Sequence, residues 1–449
     1  MLGLLRKLIP DRHPLRLLYH KIKAFIAALV YMFPAKHMTI IGVTGTNGKS
    51  TTVNFITNIL NESGAKIGMA STINFQVAAN RWSNIAKQTT MGPFYLQKLL
   101  KRMAREGCKY VVLEVTSHAL DQSRVFGVNF DVAVITNVTP DHTEYHGSFN
   151  AYLNAKGKLF KKVSKGRRKF GVPKVLIMNA DDKYYSFFNQ FIADRKMTYG
   201  LKGATVYAEK VEKKPEGSHF VLHVPNNAIP VELKMPGEFN VYNALAAASV
   251  AISLQIPIET VKKGLESSSS IAGRFEHVRC GQKYSVIVDY AHATDALKSL
   301  LSLYKRLTPG RLISVFGATG GGRDKAKRPK MGAVAHEYAD YIILTDDDPY
   351  EEDELTIIEG VAQGIPRKEG EKFWKIPDRR EAIRLALIIA RHDDTVVISG
   401  KGCEEIMIVR GKKIEWSDKQ VVKELLERDI EVEIKHDQWE KRDNVCMES

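Results

Sequence analysis

The chain has 449 residues, which is too long for one ordinary hydrophobic core and predicts two or three domains. Hydrophobic residues make up 44% and charged residues 26% of the sequence, which excludes wholesale disorder and a polytopic membrane protein. The formal net charge of +15 favours anionic partners, but no nucleic-acid-binding motif is present, so direct nucleic-acid binding is not expected.

The four cysteines, Cys108, Cys280, Cys403 and Cys446, are far apart and form no CxxC pair. Neither a zinc site nor a disulfide framework is therefore predicted. No cleavage-site pattern follows the apolar run near the N-terminus, so no secretory signal is expected. A reducing cytoplasm is the simplest setting for such a chain.

A short apolar run, 24–33, follows Lys21 and Lys23 near the start of the chain. It is well short of the roughly 20 residues that a helix needs to span a bilayer. Two interpretations are open. The segment 15–33 lies in a membrane interface with Arg16 and the two lysines among the headgroups, or it forms a helix packed on the protein body. The first interpretation predicts peripheral contact with the inner face of the membrane.

From residue 38 onward, short apolar runs typical of buried strands alternate with helical patterns. The runs are TIIGVT (39–44), YVVLEVT (110–116), DVAVITNV (131–138) and KVLIMNA (174–180). Between the first two runs, Leu96, Leu99, Leu100 and Met103 share one face of a predicted helix that ends at Gly107. Continuously apolar strands that alternate with helices predict a parallel sheet covered on both faces.

The sequence GVTGTNGKSTT (42–52) lies where the first strand meets a helix. It is similar to a phosphate-binding loop, although its first glycine comes one residue too early for the usual spacing. Gly45 and Gly48 let backbone N–H groups turn toward an anion, and the helix N-terminus adds partial positive charge. Lys49 would neutralise phosphate charge, and Ser50 or Thr51 would offer a hydroxyl to Mg²⁺. We predict a phosphate site here; the alternative is a glycine turn with a capping serine.

Acidic and imidazole side chains follow the next two strands. Glu114 lies at the end of the second strand, and Asp141, His142 and His146 follow the third. Ligands of open α/β sheets collect at the carboxyl ends of the strands. A single histidine in such a place more often caps or packs, but the combination favours a metal site.

A second α/β series follows the serine run 267–270. Its strands are SVIVDYA (285–291), LISVFGA (312–318), YIILTDD (341–347) and TVVISGKG (395–402). We predict an α/β protein with a central P-loop ATPase domain and mainly parallel sheet over 38–270. A Rossmann-like α/β C-terminal domain follows over 271–430. Residues 1–37 form a basic and apolar N-terminal segment, and 431–449 form a charged tail.

Two loops of opposite charge follow strands of this second series. GATGGGRDKAKRP (317–329) concentrates Arg323, Lys325, Lys327 and Arg328 after glycines, a pattern that suits an anion or carboxylate. TDDDPYEED (345–353) is acidic. Together they would bind a zwitterion, with its amino groups at the carboxylates and its carboxylate at Arg323. An acidic surface loop is the alternative.

Beyond the phosphate loop, further motifs occur in a fixed order along 38–429. They are EVTSHALDQSRV, TNVTPDHTEYHG, YLNAKGKLF, GEFNVYNALAA, AGRFE, VDYAHATDAL, GGRDKAKRPKMG, TDDDPYEED and SGKGCE. In this order, the chain resembles the Mur ligase family, and most closely its MurE type, the UDP-N-acetylmuramoyl-tripeptide synthetases. The phosphate loop of that family has the spacing found here.

The resemblance implies ATP-dependent amide ligation in cell-wall peptide synthesis, with an amino acid added to a muramoyl-peptide-like acceptor. The acceptor carboxylate would attack the γ-phosphate of ATP, and the amine would then attack the acyl phosphate. Two Mg²⁺ ions are implied, as is carbamylation of Lys156, which would convert a cation into an anion that helps to place the second metal. The oligomeric state is not implied.

The resemblance also assigns roles to individual residues by their places in the matching motifs. Catalytic roles fall to Lys49, Glu114, His142, Lys156 and Arg274, and metal binding falls to Ser50, Glu114, His142 and Lys156. ATP binding falls to Gly45, Thr46, Asn47, Gly48, Lys49, Ser50, Thr51, Asn240, Asn243 and Asp289. Substrate binding falls to Thr89, Thr90, Ser117 and Arg124 for the acceptor, and to Arg323, Asp347, Asp348, Gly400 and Glu404 for the amino acid.

The sequence departs from the family pattern in three places. Where diaminopimelate-adding members have Asp-Asn-Pro-Arg, the chain has Asp347-Asp348-Pro349-Tyr350, which favours a basic diamino acid such as lysine or ornithine. Cys403 replaces the usual histidine of GKGHE. The phosphate loop starts so near the N-terminus that the UDP-binding domain of the family is not expected, so the acceptor is either held by its peptide and sugar or linked to a lipid carrier.

Two other functions are alternatives. Folylpolyglutamate synthetases are related ligases without the UDP-binding domain, although VDYAHAT and TDDDPYEED are more similar to MurE. A catalytically silent, ATP-binding protein at the membrane surface belongs to a different class. Intact Lys49, Glu114, His142 and Lys156 argue against it.

Overall fold

The computed structural model describes residues 12–84, 86, 88–141, 143–214, 217–268, 271–321 and 324–427. Two predicted site residues, His142 and Arg323, lie outside the described residues, as do the predicted tail 431–449 and the first part of the segment 1–37. The chain divides into two compact units, Met1–Ser269 and Ser270–Ser449. Each unit has its own central sheet.

An eleven-stranded, mixed sheet organises the described part of the first unit. Its order is β11-β10-β9-β8-β7-β6-β1-β5-β2-β3-β4. The pairs from β9 through β2 are parallel, and antiparallel strands continue the sheet at both ends. The strands are β1 (Thr39–Thr44), β2 (Ile67–Ala70), β3 (Asn74–Val77), β4 (Asn80–Ser83), β5 (Tyr110–Glu114), β6 (Val132–Ile135), β7 (Val175–Asn179), β8 (Arg195–Gly200), β9 (Val206–Lys214), β10 (Gly217–Val224) and β11 (Asn227–Leu233).

Helices cover this sheet. They are α1 (Pro14–Val30), α2 (Lys49–Glu62), α3 (Pro93–Arg105), α4 (Ser117–Asp121), α5 (Thr143–His146), α6 (Phe149–Lys165), α7 (Tyr185–Asn189), α8 (Glu238–Ser253) and α9 (Ile258–Glu266), with a 3₁₀ turn at Pro34–His37. Strands β1, β5, β6 and β7 are buried along their whole length, because helices shield both faces of the parallel region. β1 lies between β5 and β6, so the loops after these three strands meet at one edge.

The second unit contains a smaller sheet of the order β12-β13-β17-β14-β15-β16 in its described residues. All of its pairs are parallel except β12 with β13. The elements are β12 (Glu276–His277), β13 (Ser285–Asp289), α10 (Thr294–Leu307), β14 (Leu312–Phe316), α11 (Lys327–Tyr338), β15 (Tyr341–Leu344), α12 (Glu354–Ala362), β16 (Phe373–Lys375), α13 (Arg379–Ile389), β17 (Thr395–Ser399) and a hairpin of β18 (Ile406–Val409) and β19 (Lys412–Glu415). A further helical stretch covers 418–427. The predicted α/β fold class, with two mainly parallel sheets, is confirmed.

Helix α1 packs on the first unit by one face only. Ala24, Ala27 and Ala28 are fully buried, and a Cβ on Gly127 would collide with the Ala28 methyl group. Most of the larger apolar side chains of α1 are exposed, whereas Leu17 is partly buried. No helix in the described ranges is long and apolar enough to cross a membrane. Packing on the protein body thus explains only the inner face of α1.

Candidate active site

The phosphate loop leads directly from β1 into α2. Gly45 has a φ of 149° and Gly48, at the N-cap of α2, has a φ of 81°. A Cβ at Gly45 would collide with Thr136, and one at Gly48 with Asn243, so both positions need glycine. The Thr136 hydroxyl donates to the Asn47 carbonyl at 2.6 Å, which fixes the loop against the end of β6. The backbone N–H groups of the phosphate loop and the N-terminus of α2 together form a cradle for an anion.

Thr46 and Lys49 occupy the two sides of this cradle. The Lys49 ammonium donates to the Thr46 carbonyl at 2.7 Å, which keeps the cation beside the loop. The Thr46 hydroxyl lies 3.0 Å from the Tyr152 hydroxyl and donates to the Thr139 carbonyl at 3.2 Å. Tyr152 on α6 therefore belongs to the loop's support, a role that the sequence pattern did not predict.

Ser50 and Glu114 form the oxygen pair beside the cradle. The Ser50 hydroxyl donates to Glu114 Oε2 at 2.8 Å, and the backbone N–H of Thr72 donates to the same oxygen at 2.8 Å. Glu114 is only 3% exposed, so its carboxylate depends on these donors. A hydroxyl and a carboxylate at this distance are the type of ligand set that Mg²⁺ prefers.

Lys156 on α6 lies beneath the loop. Its Nζ donates to the Gly45 carbonyl at 2.6 Å and lies 4.3 Å from the centre of the Tyr152 ring. Burial, reinforced by the nearby Lys49 cation, holds the pKa of Lys156 well below its usual value, although Asp141 opposes the shift. The shift favours the neutral amine, which is the form that carbamate formation requires.

Within the described residues, no group of three or more carboxylate, imidazole or thiol side chains is arranged around a metal position. Of the predicted metal ligands, the structure brings Ser50 and Glu114 together, and His142 lies outside the described residues. His146 instead places Nε2 3.0 Å from the Ser117 hydroxyl and packs against the His118 ring. The metal site therefore stays a prediction.

Asn243 reaches the phosphate loop from α8, and Asn240 lies beside it. Both side chains are buried, and Asn243 Nδ2 donates to Asn240 Oδ1 at 3.2 Å. The Asn243 Oδ1 atom accepts from Thr52 at 3.3 Å. The fold thus brings Asn243, with Asn240 beside it, against the first turn of α2, although both asparagines are distant from α2 in the sequence.

The predicted acceptor residues surround the end of β5. The Thr90 hydroxyl donates to the Glu114 carbonyl at 3.0 Å, and Arg124 Nη1 donates to the Thr90 carbonyl at 3.0 Å. The Thr72 hydroxyl donates to Thr89 at 2.9 Å. Burial lowers the pKa of Arg124, which makes a substrate anion a favourable partner for this guanidinium. Thr72 links this group to Glu114 and was not predicted.

In the second unit, Asp289 ends β13 beside Arg274. The Asp289 carboxylate accepts from the backbone N–H groups of Phe275 at 2.9 Å and Ala291 at 2.7 Å. Burial raises the pKa of Asp289. The Arg274 guanidinium lies 4.8 Å from the centre of the Tyr290 ring, and its Nε has no hydrogen-bond partner among the described residues. An unsatisfied buried donor of this kind suits an anionic ligand.

An acidic cluster surrounds Lys401 after β17. The ammonium donates to Asp348 Oδ1 at 3.0 Å, to Glu404 Oε2 at 2.6 Å and to the Ile406 carbonyl at 2.9 Å. Burial opposes the charged form, but Asp347, Glu404 and Asp348 raise the pKa of Lys401. Lys401 was not predicted as a site residue. The buried cation neutralises Asp348 and Glu404 in part.

Asp347 is the least committed carboxylate of this cluster. In the described structure, its only hydrogen bond is the one it accepts from the Thr319 hydroxyl at 3.1 Å. Gly400, with a φ of 114°, lies close enough that a Cβ would be 3.2 Å from Asp347 Oδ2. A small residue at Gly400 therefore keeps the carboxylate open to a ligand.

The basic and acidic loops do meet, but through a residue that was not predicted. Arg328 forms a bidentate pair with Glu352, with distances of 2.8 and 3.0 Å, and Lys325 lies 3.0 Å from the same carboxylate. Two cations of the predicted clamp are thus paired with Glu352. Lys327 donates to the His292 carbonyl at 3.2 Å.

Asp346 gives a testable effect on stability. Burial, reinforced by Glu354, raises its pKa from 3.8 to about 7. The folded chain then binds more protons than the unfolded chain between these values, so stability falls as pH rises from about 4 to about 7. We expect Asp346→Asn to remove this slope and to stabilise the protein by about 1–2 kcal/mol at pH 8.

The measurement is the melting temperature of both proteins from pH 4 to pH 8. Glu371→Gln, a substitution at an exposed carboxyl of the same unit, is the matched control and should leave the pH profile unchanged. Parallel profiles for wild type and Asp346→Asn would show that Asp346 is ionised normally in the folded protein.

A glycine-rich phosphate loop between a buried parallel strand and a helix, followed by a second α/β unit, defines the class of nucleotide-binding α/β enzymes. Family models agree: the Mur ligase middle domain matches residues 43–251, and the Mur ligase glutamate ligase domain matches residues 273–402. The chain belongs to the Mur ligase family. It is an ATP-dependent ligase that forms an amide bond, and Mur ligases use Mg²⁺.

Individual relatives are similar over most of their length. A UDP-N-acetylmuramoyl-L-alanyl-D-glutamate–2,6-diaminopimelate ligase of Caldanaerobacter subterraneus subsp. tengcongensis is 40% identical over 404 residues, which cover 90% of this chain and 81% of that protein. A UDP-N-acetylmuramyl-tripeptide synthetase of Roseiflexus sp. is 38% identical, with 88% of this chain and 79% of that protein covered.

Solved structures show the same fold. A UDP-N-acetylmuramoyl-L-alanyl-D-glutamate–2,6-diaminopimelate ligase matches with a TM-score of 0.61 and 32% identity, over 88% of this chain and 79% of that one. A folylpolyglutamate synthase of Mycobacterium tuberculosis matches with a TM-score of 0.65 and 16% identity, over 84% of this chain and 92% of that one. The second likeness concerns the fold alone.

Proposed function

We propose that the protein adds a basic diamino acid, such as lysine, to the carboxylate of a muramoyl-peptide-like acceptor in cell-wall peptide synthesis. The observation that carries the proposal is the Ser50–Glu114 pair beside the phosphate loop, with buried Lys156 beneath it. The names of relatives that act on muramoyl peptides support it. The proposed ATP-binding domain spans 38–270 and the proposed amino-acid-binding domain spans 271–430.

The reaction that fits these groups has two steps. The acceptor carboxylate attacks the γ-phosphorus of ATP, the bond to the bridging oxygen breaks, and ADP leaves with the electron pair. The amine then attacks the acyl carbon, phosphate leaves as the C–O bond breaks, and the amine gives up a proton. Positioning and charge neutralisation dominate such phosphoryl transfer. Lys49 would neutralise the β- and γ-phosphates. The family resemblance assigns the γ-phosphate to Arg274 as well, and the Nε of Arg274 has no hydrogen-bond partner among the described residues.

Ser50 and Glu114 fit a magnesium ion because they offer two adjacent oxygen atoms, one of them buried and charged. A magnesium ion held by these two side chains would supply charge neutralisation during phosphoryl transfer. A second ion would need His142 and a carbamylated Lys156. The lowered pKa of Lys156 supports carbamylation, because only the neutral amine reacts with carbon dioxide. Asn240 and Asn243 would hold the adenine, and Asp289 the ribose.

The acceptor would bind where Thr89, Thr90, Ser117 and Arg124 lie close to Glu114. Arg124 is the natural partner of an acceptor carboxylate because its buried guanidinium gains most from an anion. The hydroxyls would fix the peptide by hydrogen bonds. This arrangement would hold the acceptor near the Ser50–Glu114 pair.

The amino acid would bind at Asp347, Asp348, Gly400 and Glu404, with Arg323 at its carboxylate. Asp347 is best suited to a substrate ammonium, because Asp348 and Glu404 already accept from Lys401. Tyr350 stands where a carboxylate-binding arginine would select diaminopimelate. The cluster therefore favours a diamino acid with no second carboxylate.

The proposal is tested by ADP release across a matrix of amino acids and acceptors. The acceptors are UDP-linked muramoyl dipeptide, the same peptide without nucleotide, and folate. We expect turnover with a muramoyl peptide and a diamino acid, and none in the Lys49→Ala variant. Glutamate addition to folate would overturn the proposal, and tight ATP binding without turnover on any acceptor would favour a catalytically silent protein. We also propose peripheral membrane contact through 15–33.

A further inference from the structure

The outer face of α1 carries a continuous apolar stripe. Its members recur every three or four residues and are 45–64% exposed: Leu15, Leu18, Ile22, Phe25, Ile26 and Leu29. On the opposite face, the fully buried residues are the small Ala24, Ala27 and Ala28, and Leu17 is partly buried. A surface helix of a globular protein normally turns its large apolar residues inward. The inverted arrangement indicates that the stripe is covered by something outside the described chain.

Cations border this stripe on both sides. At about 100° per residue, Lys21 and Lys23 lie on opposite flanks of Ile22. Helices that lie in a membrane interface place basic residues at these borders, where the side chains reach the headgroups while the apolar stripe enters the acyl boundary.

A basic cavity of about 810 Å³ adjoins the stripe. Phe126 forms part of its wall, and the Phe126 ring lies 5.9 Å from the Phe25 ring of the stripe. Apolar residues such as Phe33 and Val128 line the cavity together with Lys158. Six further cations line it: Lys21, Lys36, Lys161, Lys162, Lys165 and Arg167.

In the part of the chain that the structure describes, these cations have few anionic partners. Among the described residues, only Lys158 pairs with a carboxylate, that of Asp121 at 2.6 Å. Burial lowers the pKa of Lys162, so an anion in the cavity would favour its charged form. The loop that supplies Arg167 also carries Phe170, whose side chain is fully exposed. Exposed aromatic and basic residues thus occur together beside the cavity.

We propose that this surface binds an anionic phospholipid bilayer, with the α1 stripe in the interface and a headgroup phosphate in the basic cavity. A second copy of the chain would cover the stripe but would bring an identical set of cations against the first. The net charge of +15 acts against that pairing and in favour of an anionic surface. The proposal goes beyond the ligase reaction and does not depend on it.

The test is flotation of the full chain with vesicles of phosphatidylcholine alone or mixed with phosphatidylglycerol. We expect binding to the mixed vesicles, little binding to neutral ones, and a loss of binding as salt is raised. Lys161→Ala with Lys165→Ala should weaken partition to mixed vesicles about thirtyfold. Leu18→Gln with Ile22→Gln should abolish binding, since the stripe would no longer enter the interface.

Matched controls lie in the second unit. Leu355→Gln with Ile388→Gln changes two exposed apolar helix residues, and Lys412→Ala with Lys413→Ala removes two exposed cations. Both controls should bind vesicles as the wild type does. Circular dichroism and the melting temperature of each variant identify any that fail to fold.

Three results would overturn the proposal. The first is that the wild type binds neutral and anionic vesicles equally well, or binds neither. Another is a dimer in sedimentation velocity that Leu18→Gln with Ile22→Gln dissolves, without any vesicle binding; the stripe would then be a contact between copies. The third is a wild type that does not bind vesicles but is stabilised by inorganic phosphate or pyrophosphate. If the Lys161→Ala, Lys165→Ala variant loses this stabilisation, the cavity binds a soluble anion.

Discussion

Replacing Lys156 by alanine is expected to lower kcat about a thousandfold, because a preorganised charge at the phosphate loop would be lost. Lys156 is fully buried, and its Nζ donates to the Gly45 carbonyl inside the loop. If the residue acts as a carbamate, the variant loses an anion and a metal ligand at once. The measurement is ADP release at saturating ATP and acceptor.

Two further measurements separate the carbamate from a purely structural role. A small carboxylate such as formate should partly restore the Lys156→Ala variant, because it can occupy the vacated space and replace the lost anion. A sample labelled with ¹³C-bicarbonate should show a carbamate resonance in the wild type that the variant lacks. A lysine that merely supports the Gly45 carbonyl predicts neither result.

The control for this variant is Lys202→Ala, which removes an exposed lysine of the same unit. It should retain wild-type kcat. The melting temperature of Lys156→Ala must also be followed, since removing a buried side chain leaves a cavity that destabilises the fold. A Lys156→Ala enzyme with full activity, or a wild type without a carbamate signal, would remove the carbamate from the mechanism.

Four parallel strands of the first unit could be predicted because each is a short run of mainly apolar residues. Strand β8 is parallel too but begins with Arg195 and Lys196, and it was not predicted. β1, β5, β6 and β7 are buried throughout, so periodicity and burial carry the same information. The conformation of the phosphate loop was predictable for a similar reason, because its glycines stand at positions where any Cβ atom would collide with a neighbour. Local sequence determines these features.

Features that depend on the contact of distant segments were not predictable. β9, β10 and β11 alternate polar and apolar residues weakly, and they form an antiparallel extension that no sequence signal indicated. Periodicity shows that α1 has an apolar stripe, but it cannot show whether the stripe faces the protein or the solvent, because that depends on what packs against the helix.

Charge pairing within the site was equally hidden. The sequence grouped Lys325 and Arg328 with a substrate carboxylate, whereas Glu352 binds both in the folded protein. It also gave Asp347 and Asp348 one role, although Lys401, more than 50 positions away, distinguishes them. Which of several carboxylates stays open to a ligand depends on such long-range partners.

That distinction leads to the second large effect, a change of amino-acid selectivity. Asp348→Asn combined with Tyr350→Arg should lower the ratio of kcat/KM for lysine to that for diaminopimelate about a hundredfold. The change removes a negative charge and supplies an arginine that can bind a second carboxylate, an interaction worth about 2–3 kcal/mol. The amide oxygen of the Asp348→Asn variant can still accept the Ile408 N–H that Asp348 now binds at 2.8 Å, so the loop should keep its conformation.

The measurement is kcat/KM for lysine, ornithine and meso-diaminopimelate by ADP release, for each single variant and for the double variant. The single variants show whether the two substitutions act together, as expected for neighbouring positions that bind one carboxylate. Glu371→Gln with Gln363→Arg changes the net charge equally at exposed positions of the same unit and should not change selectivity. A wild type that prefers diaminopimelate would show that another cation binds its second carboxylate. An unchanged ratio in the double variant would place position 350 outside the amino-acid site.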